Sequence, residues 1–580
     1  MPSRRSNGAD LSSYKKGDSW VLDDRAQAGF QSKHDMSSWE QSLLAPLCKT
    51  GLLHRARQIL SAGILYYSDF SGYDAPRECL RVLVKSLEKL VPPEAEQGSL
   101  WMQAVRSCDW GKVQQKVLRL QSAQFDGGKA CVFSDIVNRL PAWAVEWLKE
   151  RQPDKKTKVA AAIERNQDIA DFLKEHREVL LNSESSSYCS VHKQQCPLYP
   201  RLHLPRQVAD QSAPAAWWEC TEDWAGSFKP ITISAAGLCC TDYSPLGKQA
   251  RDAGTTEMYH HIWQVDRLRA AELGAESVFF TECSSLYPAQ TKQAAPMTEQ
   301  FHVVFIHASP DLLGFPVRRP RMFSAGINRA EYLWCGPSTP EEVQAVWNAI
   351  FGRLCTLTGD AFFCASGPEV QAWAQRTATA RKTSIPLHMM NQSIENLLPF
   401  LLPTGGVKRK FQYDELQPDR CALDGSFLFD LDHNPGYGPG CGSLFPSMST
   451  HPRVFSHKQG RLALPAEYLS AQGVDMYADL SGDRGISPLR DVFNSVTDTE
   501  ACFLAGNSLH VPTYLCFMIY VLGNLRPRAD FIRMPPQLGN GAAKAEAEAE
   551  TDETEATEVG RGSSSALSET PLRSKRFKIV

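Results

Sequence analysis

Short apolar runs alternate with helical patterns along the first half of the chain, and this alternation constrains the fold more than any other feature. An apolar run bounded by turn residues is typical of a buried parallel strand, and an amphipathic stretch between two runs is typical of a crossover helix. The runs lie at residues 63–67, 101–105, 130–133, 231–236, 277–280 and 301–306. The pattern predicts an α/β fold in which helices cover both faces of a parallel sheet.

Two interruptions of this alternation divide the chain into segments. Residues 150–228 hold a charged helical pattern and a Ser-rich break, and residues 331–484 are richer in Gly, Pro and Phe without a strand–helix rhythm. The end of the chain has the low complexity of a disordered tail. The predicted order is a flexible leader with a first helix, a sheet domain, an insertion, the rest of the sheet domain, a second smaller and irregular domain, a return to the sheet domain and a tail, at residues 1–50, 51–149, 150–228, 229–330, 331–484, 485–528 and 529–580.

Cysteine content and charge limit the classes of protein to which the chain can belong. Its 17 cysteines are odd in number and thinly spread over 580 residues, which is unlike a secreted disulfide scaffold and predicts a reduced, intracellular setting. The N-terminus has no signal-like apolar run, and the apolar stretch 509–525 is short and interrupted, so it predicts a buried helix and no membrane partner. The formal net charge of −3 gives no indication of a polyanionic partner.

Polar residues follow the first three predicted strands where each one ends. Ser71 and Gly72 follow the first strand, Asp109 the second and Asp135 the third. The carboxyl ends of parallel strands form one edge, where a small residue lets a ligand approach the backbone and an acid can bind ribose hydroxyls. Each acid taken alone is more often a helix cap. Three polar strand ends in succession predict a nucleoside-containing cofactor.

Chemically reactive side chains follow the next three predicted strands. Cys240 follows the fourth strand in a glycine-bearing loop, Glu282 follows the fifth, and Arg319 and Arg321 follow the sixth after a loop. A thiol in such a loop can act as a nucleophile, because neighbouring backbone N–H groups lower the pKa of a thiol. The alternative is a buried structural thiol, which is the commoner state of cysteine.

Four possible zinc ligands lie close together in the predicted insertion. They are Cys189, His192, Cys196 and His203. Their spacing matches no strong zinc template, and spacing alone is weak evidence for a metal site. The prediction is therefore a loop-rich insertion with free thiols and no metal, in which these four side chains are weak candidates for ligands.

The order of the motifs resembles that of the DNA (cytosine-5) methyltransferase family. That family's motifs read D-L-F-S-G-x-G-G, P-C-Q-x-F-S-x-x-G, E-N-V and Q-x-R-x-R, followed by R-x-L-T-x-x-E-x-x-x-x-Q-G and G-N-S. This chain has Phe-Ser-Gly at 70–72, Cys-x-x-x-Ser-x-x-Gly at 240–247, Glu at 282, Arg-x-Arg at 319–321, the Arg, Glu, Gln and Gly of the fifth motif at 461–473, and Gly-Asn-Ser at 506–508. The resemblance spans about residues 60–525 apart from the insertion. It implies a Rossmann-like S-adenosylmethionine-dependent methyltransferase sheet with a smaller irregular target-recognition domain at residues 331–484.

The resemblance implies a covalent mechanism on a cytosine flipped out of DNA. Cys240 would add to C6 of the base, which makes C5 reactive enough to accept a methyl group. Glu282 would hold N3 and stabilise charge during the attack, while Arg319, with Arg321 beside it, would bind the cytosine carbonyl. The base cannot be reached inside a duplex, so flipping is implied.

The resemblance also implies S-adenosylmethionine as the cofactor. An aromatic ring would face the sulfonium, carboxylates would bind the ribose and the adenine amino group, and an indole would pack on the adenine. The implied cofactor-binding residues are Phe70, Ser71, Gly72, Asp109, Trp110, Asp135, Ile136, Asn507 and Ser508. Ser447 and Met448 match the element of the target-recognition domain that lies beside the flipped base.

The neighbours of these chemical groups depart from the family's pattern. Asp74 and Ala75 replace two glycines, Cys239 replaces the proline before the nucleophile, and Cys283 replaces the asparagine after the glutamate. Retention of the thiol, the carboxylate and the arginines predicts an active enzyme. Two alternatives stay open, a tRNA cytosine-5 methyltransferase and a catalytically impaired DNA-binding protein with the same fold. The size of the target-recognition region favours DNA, and the sequence indicates no protein partner.

The end of the tail carries a short basic cluster. Arg573, Lys575, Arg576 and Lys578 follow an acidic run. Such a cluster predicts a nuclear localisation signal, with a solvated terminus and a cytoplasmic location as the alternative.

Overall fold

The structure is a computed structural model, and it describes the chain over several ranges. The described residues are 27–92, 99–154, 156–199, 229–244, 247, 249–390, 392–422, 424–435 and 441–528. The predicted tail with its basic cluster and one metal-ligand candidate, His203, lie outside the described residues.

Seventeen strands are present in the described residues, and nine of them form one mixed sheet. The strands are β1 (Gln27–Ala28), β2 (Ile64–Asp69), β3 (Met102–Cys108), β4 (Cys131–Phe133), β5 (Ser186–Cys189), β6 (Gln194–Pro197), β7 (Ile231–Gly237), β8 (Val278–Ser284), β9 (Phe301–Ala308), β10 (Arg321–Asn328), β11 (Tyr332–Trp334), β12 (Arg353–Leu354), β13 (Leu428–Asp430), β14 (Cys441–Gly442), β15 (Val454–Ser456), β16 (Arg461–Leu462) and β17 (Leu525–Pro527). The large sheet has the order β6-β5-β4-β3-β2-β7-β8-β10-β9. All six predicted apolar runs are strands of this sheet.

Helices connect these strands and cover the sheet. They are α1 (Lys33–Ser37), α2 (Trp39–Leu43), α3 (Leu52–Leu60), α4 (Ala75–Leu90), α5 (Lys112–Phe125), α6 (Ala142–Arg151), α7 (Val159–Glu175), α8 (Arg177–Leu180), α9 (Glu257–Glu272), α10 (Ala295–Met297), α11 (Pro340–Phe351), α12 (Gly367–Ala380), α13 (Ile394–Leu401), α14 (Thr404–Arg420), α15 (Pro465–Ala471), α16 (Ala478–Ser481), α17 (Leu489–Asn494), α18 (Asp498–Gly506) and α19 (Val511–Gly523). Alternate strand residues face two cores: Phe280 packs with α3, α4 and α19, whereas Phe279 packs with α9 on the other face. The predicted α/β class with a Rossmann-like sheet is confirmed.

The direction of the strand order reverses between β2 and β7. The chain runs outward from β2 through β3 to β4, then returns to the other side of β2 and continues through β7 to β8, all in parallel pairs. A crevice forms at the carboxyl ends of the strands where the order reverses, and ligands bind there in open α/β sheets. The start of β10 lies at the same edge, because β10 is antiparallel to β8 and its first residue, Arg321, pairs with Ser284.

The described part of the predicted insertion belongs to the sheet domain. Strands β5 and β6 form an antiparallel hairpin that extends the sheet beyond β4, and helix α7 packs against α9. The charged helical pattern predicted here is present as α7 and α8, and the loop-rich interpretation is corrected for residues 186–197, which form the hairpin. The hairpin escaped prediction because only alternate residues of β5 are buried, so the segment has no apolar run.

The predicted target-recognition region has its own core from helix α12 onward. Helices α12 to α14 and the four-stranded sheet β14-β13-β15-β16 enclose apolar side chains such as Trp373, Leu397 and Phe429. The first part of the region packs elsewhere: β11 pairs with β17, and Trp347 of α11 contacts Phe517 of α19. Residues 332–351 thus extend the sheet domain.

The apolar helix α19 is a core helix. All 13 of its residues are buried, and it packs against α3 and α4. By length and hydropathy the range Asp498–Gly523 also qualifies as a membrane span, but 83% of that window is buried inside the protein. The predicted buried helix at 509–525 is therefore present.

A network of fully buried charges lies beneath the end of β2. Asp266 of α9 accepts from Arg267 at 2.7 Å and from Arg106 at 3.3 Å, and it also binds Arg139 and the hydroxyl of Tyr199. Arg139 in turn binds Asp69, the last residue of β2. Buried charges require such pairing because desolvation of an unpaired ion is costly. Through Asp69, the network holds the end of β2 in place, directly before the turn that starts at Phe70.

Candidate active site

The turn after β2 has an unusual backbone conformation. Phe70, Gly72 and Asp74 all have positive φ angles, of 50°, 59° and 66°. Asp74 stands where the resembled family has glycine, and its carboxylate accepts a 2.5 Å hydrogen bond from the Tyr66 hydroxyl, which helps to hold this left-handed conformation. No atom lies within 4 Å of a Cβ built on Gly72, so the turn borders open space. The geometry suits a ligand that approaches the backbone closely.

Asp109 links the ends of β2 and β3. Its carboxylate accepts hydrogen bonds from the backbone N–H groups of Gly72 and Gly111, each at 2.9 Å. Burial raises the pKa of Asp109 to about 6. Ser71 completes the link, because its hydroxyl bonds both the N–H and the carbonyl of Cys108 at 3.1 Å. A carboxylate has about four acceptor sites, so Asp109 retains capacity for a ligand.

The other residues expected near the adenine differ in exposure. Trp110 is 76% exposed, so its indole ring is free to pack on a flat ligand. Asp135 caps a short 3₁₀ helix by accepting from the Val137 N–H at 3.1 Å, and burial raises its pKa. Ile136 is buried in the core beneath this turn. Asp135 therefore acts as a cap, as a lone acid at a strand end usually does, and its carboxylate stays partly exposed.

Cys240 lies in the loop after β7, beside the Phe70 turn. A Cβ built on Gly237 would lie 3.3 Å from the Phe70 carbonyl, so β7 ends in close contact with that turn. The loop is held by hydrogen bonds from the Tyr243 N–H to the Cys240 carbonyl and from His260 to the Cys239 carbonyl, both 3.0 Å. Burial raises the pKa of the Cys240 thiol, while the nearby positive charge of Arg321 opposes that rise.

Glu282 and Arg321 form an ion pair next to Cys240. The Nε of Arg321, the first residue of β10, lies 2.6 Å from the Glu282 carboxylate near the end of β8. The antiparallel register pairs Arg321 with Ser284 and Glu282 with Phe323, so the two charged side chains lie diagonally on the same face of the sheet. Both groups interact electrostatically with Cys240. A thiol, a carboxylate and a guanidinium thus meet at one edge of the sheet.

Arg319 is a buried guanidinium with unused donors. Its Nη2 donates to the carbonyls of Gly506 and Ser508, while its Nε and Nη1 are buried and have no hydrogen-bond partner among the described residues. Burial and the charge of Arg321 lower the pKa of Arg319 to about 9. Unpaired donors in a buried cation are costly, and an acceptor on a ligand would satisfy them.

The Gly-Asn-Ser segment and the target-recognition region reach the same place. The Ser508 hydroxyl donates to the Tyr73 hydroxyl at 2.7 Å, which ties this segment to the turn after β2. A Cβ on Gly506 would lie 1.9 Å from the Ser449 carbonyl, so the loop that contains Ser447 and Met448 rests directly against Gly506. Ser447 is partly exposed and Met448 is buried.

Residues of two family-like motifs make bonds within the protein that stabilise the fold. Asn507 is exposed, and its side chain donates to the Phe503 carbonyl of its own helix at 3.1 Å. Arg461 and Glu467 form a buried bidentate ion pair with distances of 2.8 and 2.7 Å. The structure brings together the four catalytic candidates, and it places Phe70, Ser71, Gly72 and Asp109 beside them.

The sequence analysis missed two contributors to the site. Tyr73 bonds the Ser508 hydroxyl, and Phe445 pairs its backbone with residues 316–318 just before Arg319. Tyr73 follows directly after the Phe-Ser-Gly motif, so its position was a usable signal. The pairing of Phe445 depends on a contact between distant parts of the chain and left no signal in the sequence.

We expect iodoacetamide to alkylate Cys240 with an apparent pKa above that of an ordinary thiol. Burial disfavours the thiolate, so the rate should still be rising with pH above about 8.5, the pKa of a free cysteine thiol. Substitution Arg321→Gln removes the cation that opposes this shift and should move the Cys240 profile to still higher pH. Mass spectrometry of the Cys240 peptide across a pH series, with free N-acetylcysteine alkylated in the same sample, measures both profiles. A Cys240 profile at lower pH than that of N-acetylcysteine would contradict the expectation.

Comparisons with known proteins give a match in structure only. No protein-family model and no curated protein matches the sequence. Similar solved structures include the methyltransferase EhMeth of Entamoeba histolytica (TM-score 0.34, 10% identity, 79% of this chain and 98% of that chain). They also include the Dnmt2 methyltransferase of S. pombe (0.35, 10%, 79% and 98%) and a putative DNA modification methyltransferase encoded within an E. coli prophage (0.33, 11%, 80% and 98%). These proteins are described as methyltransferases, the class that the motif order implied. At such low scores and identities the likeness carries no argument about function, which rests on the side chains described above.

Proposed function

We propose that this chain transfers a methyl group from S-adenosylmethionine to C5 of cytosine in DNA. The observation that carries the proposal is the meeting of Cys240, Glu282 and Arg319 at the carboxyl edge of the sheet, where two buried nitrogens of Arg319 have no hydrogen-bond partner in the described part of the chain. These are the three groups that the chemistry needs: a nucleophile for C6, a group for N3 and a donor for the carbonyl of the base.

The proposed reaction starts with the addition of the Cys240 sulfur to C6. The new carbon–sulfur bond forces the C5–C6 electron pair onto C5, and a proton shared between the Glu282 carboxyl group and N3, with a hydrogen bond from Arg319 to the carbonyl, stabilises the charge that develops. C5 then takes the electrophilic methyl group of S-adenosylmethionine, whose sulfur–methyl bond breaks to leave S-adenosylhomocysteine. Release of the C5 proton to water and departure of the Cys240 thiolate then restore the aromatic ring.

Residues at the ends of β2 and β3 fit the cofactor. Gly72 borders open space, Asp109 holds unused acceptor sites that can take the ribose hydroxyls, and the exposed indole of Trp110 can pack on the adenine. Phe70 lies in this turn, in contact with the end of β7 that leads to Cys240, and its aromatic face would favour the positive sulfonium.

We expect Asp109→Asn to weaken cofactor binding by about 10–100-fold, since a hydrogen bond to a charged group is worth about 1.5–3 kcal/mol. Titration calorimetry with S-adenosylhomocysteine measures the change. The control is Asp154→Asn, which alters an acid in the exposed turn between α6 and α7 that bonds Thr157 of the same turn. Thermal unfolding of both variants checks that the fold is kept. Binding by Asp109→Asn within about twofold of the parent would contradict this role of Asp109.

The target-recognition region supports DNA as the substrate over tRNA. The region has its own core, and its loop at Ser447–Thr450 contacts Gly506, whose carbonyl binds Arg319. A large module that reaches the base pocket suits an enzyme that must hold a duplex while one base is flipped. Competition between duplex DNA and tRNA for radiolabelled methyl transfer tests this choice. Preferential labelling of tRNA would favour the alternative function.

We also propose a nuclear location, on the basis of the basic cluster at residues 573–578. A fluorescent fusion of the full chain should accumulate in the nucleus, and deletion of residues 571–580 should return it to the cytoplasm. Unchanged nuclear accumulation after the deletion would overturn this assignment.

A further inference from the structure

Three thiols and one imidazole converge at the edge of the sheet, away from the candidate active site. Cys131 opens β4, Cys189 ends β5, Cys196 lies in β6, and His192 lies in the turn between β5 and β6. The His192 Nδ1 lies 3.4, 3.2 and 3.4 Å from the sulfurs of Cys131, Cys189 and Cys196. All four ligand atoms lie within 4.8 Å of one another.

We propose that Cys131, Cys189, His192 and Cys196 bind one structural Zn²⁺ ion. Tetrahedral zinc with Zn–S bonds of about 2.3 Å and a Zn–N bond of about 2.0–2.1 Å separates sulfur from nitrogen by about 3.5 Å. The three S···N distances agree with that value. These S···N separations are those of three edges of one tetrahedron around an ion, and four protein ligands leave no open position, as in structural zinc sites.

The surroundings of His192 orient its ring for this role. Its Nε2 lies 2.9 Å from the Gly128 carbonyl, so Nε2 carries the proton and Nδ1 presents its lone pair to the three sulfurs. A backbone carbonyl on the second ring nitrogen is the usual support of a zinc-binding histidine. The N–H groups of Val132 and His192 also point at the Cys189 sulfur, at 3.4 and 3.5 Å, and so favour a thiolate there.

The hairpin register explains how the ligands come together. Cys189 pairs with Gln194 and Cys196 pairs with Ser187, which places the two cysteines diagonally on the buried face of the hairpin. Strand β5 is joined to β4 by the single pair Phe133–Cys189. One residue pair holds two strands together only weakly. A metal ion bound by β4, β5, β6 and the turn would join the hairpin firmly to β4. Because Asp135 follows β4 by two residues, the ion would also fix the adenine side of the proposed cofactor site.

The proposed site differs from the sequence expectation in two ways: one of its four ligands is different, and a metal is proposed where none was expected. Cys131 takes the place that the sequence analysis considered for His203, and it lies 58 residues before Cys189, which is why the spacing matched no zinc template. A group of ordinary buried thiols would need no imidazole nitrogen equidistant from three sulfurs.

Metal analysis of the full-length protein tests the proposal. The chain, produced with zinc supplied and desalted, should contain about one zinc per chain, and X-ray absorption should give three sulfurs at about 2.3 Å and one nitrogen at about 2.0–2.1 Å. Cys196→Ala should lower the content below about 0.1 zinc per chain. His192→Cys should keep the metal, because four cysteines also form a tetrahedral zinc site, and Cys335→Ala, an exposed cysteine elsewhere, is the matched control.

Three results would overturn the proposal. They are a wild-type protein with less than about 0.1 zinc per chain, an absorption spectrum without three sulfur ligands, and a native disulfide between any two of the three cysteines. The first two measurements use the wild-type chain, so they decide the matter even where a variant fails to fold.

Discussion

Replacement of Cys240 by serine should abolish methyl transfer and covalent trapping while S-adenosylhomocysteine still binds. The hydroxyl is a far weaker nucleophile than a thiolate at neutral pH, and removal of the nucleophile from a covalent mechanism lowers the rate by about 10³-fold or more. A duplex that contains 5-fluorocytosine should form a stable adduct with the parent protein, because the fluorine at C5 cannot leave as a proton does. The adduct is seen as a band shift that survives denaturation.

The neighbouring thiol supplies the matched control for this experiment. Cys239→Ser changes the adjacent residue, whose side chain contacts Thr241, and should keep both the adduct and methyl transfer. An adduct that persists in Cys240→Ser but is lost in Cys239→Ser would transfer the nucleophile to Cys239. Absence of any adduct with the parent protein under turnover conditions would support the catalytically impaired alternative.

Substitution Asp266→Asn should destabilise the fold by about 3–5 kcal/mol, which is the usual effect of removing one partner from a buried ionic network. Burial alone would raise the pKa of Asp266, but Arg267, Arg139 and Arg106 outweigh it and hold the pKa well below the usual range. A carboxyl with a lowered pKa contributes stability that is complete above its unfolded pKa of about 3.9 and is lost as the pH falls below that value. Urea unfolding near neutral pH should therefore show the full loss in the variant, and the difference from the parent should shrink under more acidic conditions.

An exposed ion pair gives the control for this stability measurement. Asp479 lies 3.3 Å from Lys33 and is 71% exposed, so Asp479→Asn should change stability by less than about 1 kcal/mol. Equal effects of the two substitutions would contradict the assigned role of the buried network.

The sheet could be predicted from sequence because its central strands are buried on both faces. The five parallel strands, β2, β3, β4, β7 and β8, each contain a short, mainly apolar run, which is a strong local signal for a buried strand. The direction of β10 had no such signal, because it depends on pairing with β8 and β9 far along the chain. The hairpin β5–β6 was missed because it has polar residues on its exposed face.

Some residues of the candidate site could be predicted from the sequence, and others could not. Cys240, Glu282 and Asp109 could be found because each follows a predicted strand, and the ends of parallel strands meet at one edge. The unused donors of Arg319 could not be predicted, because they arise where residues 506–508 fold back against it. Cys131 was overlooked as a metal ligand because only the folded sheet brings it to the hairpin.

Methyl transfer to defined nucleic acids tests the proposed function most directly. The full chain would be incubated with methyl-labelled S-adenosylmethionine and a panel of duplex DNAs and tRNAs, and the products sequenced for 5-methylcytosine. The predicted result is 5-methylcytosine in duplex DNA with the parent protein and with Cys239→Ser, and none with Cys240→Ser. No 5-methylcytosine in any nucleic acid, from a preparation that binds S-adenosylhomocysteine, would contradict it.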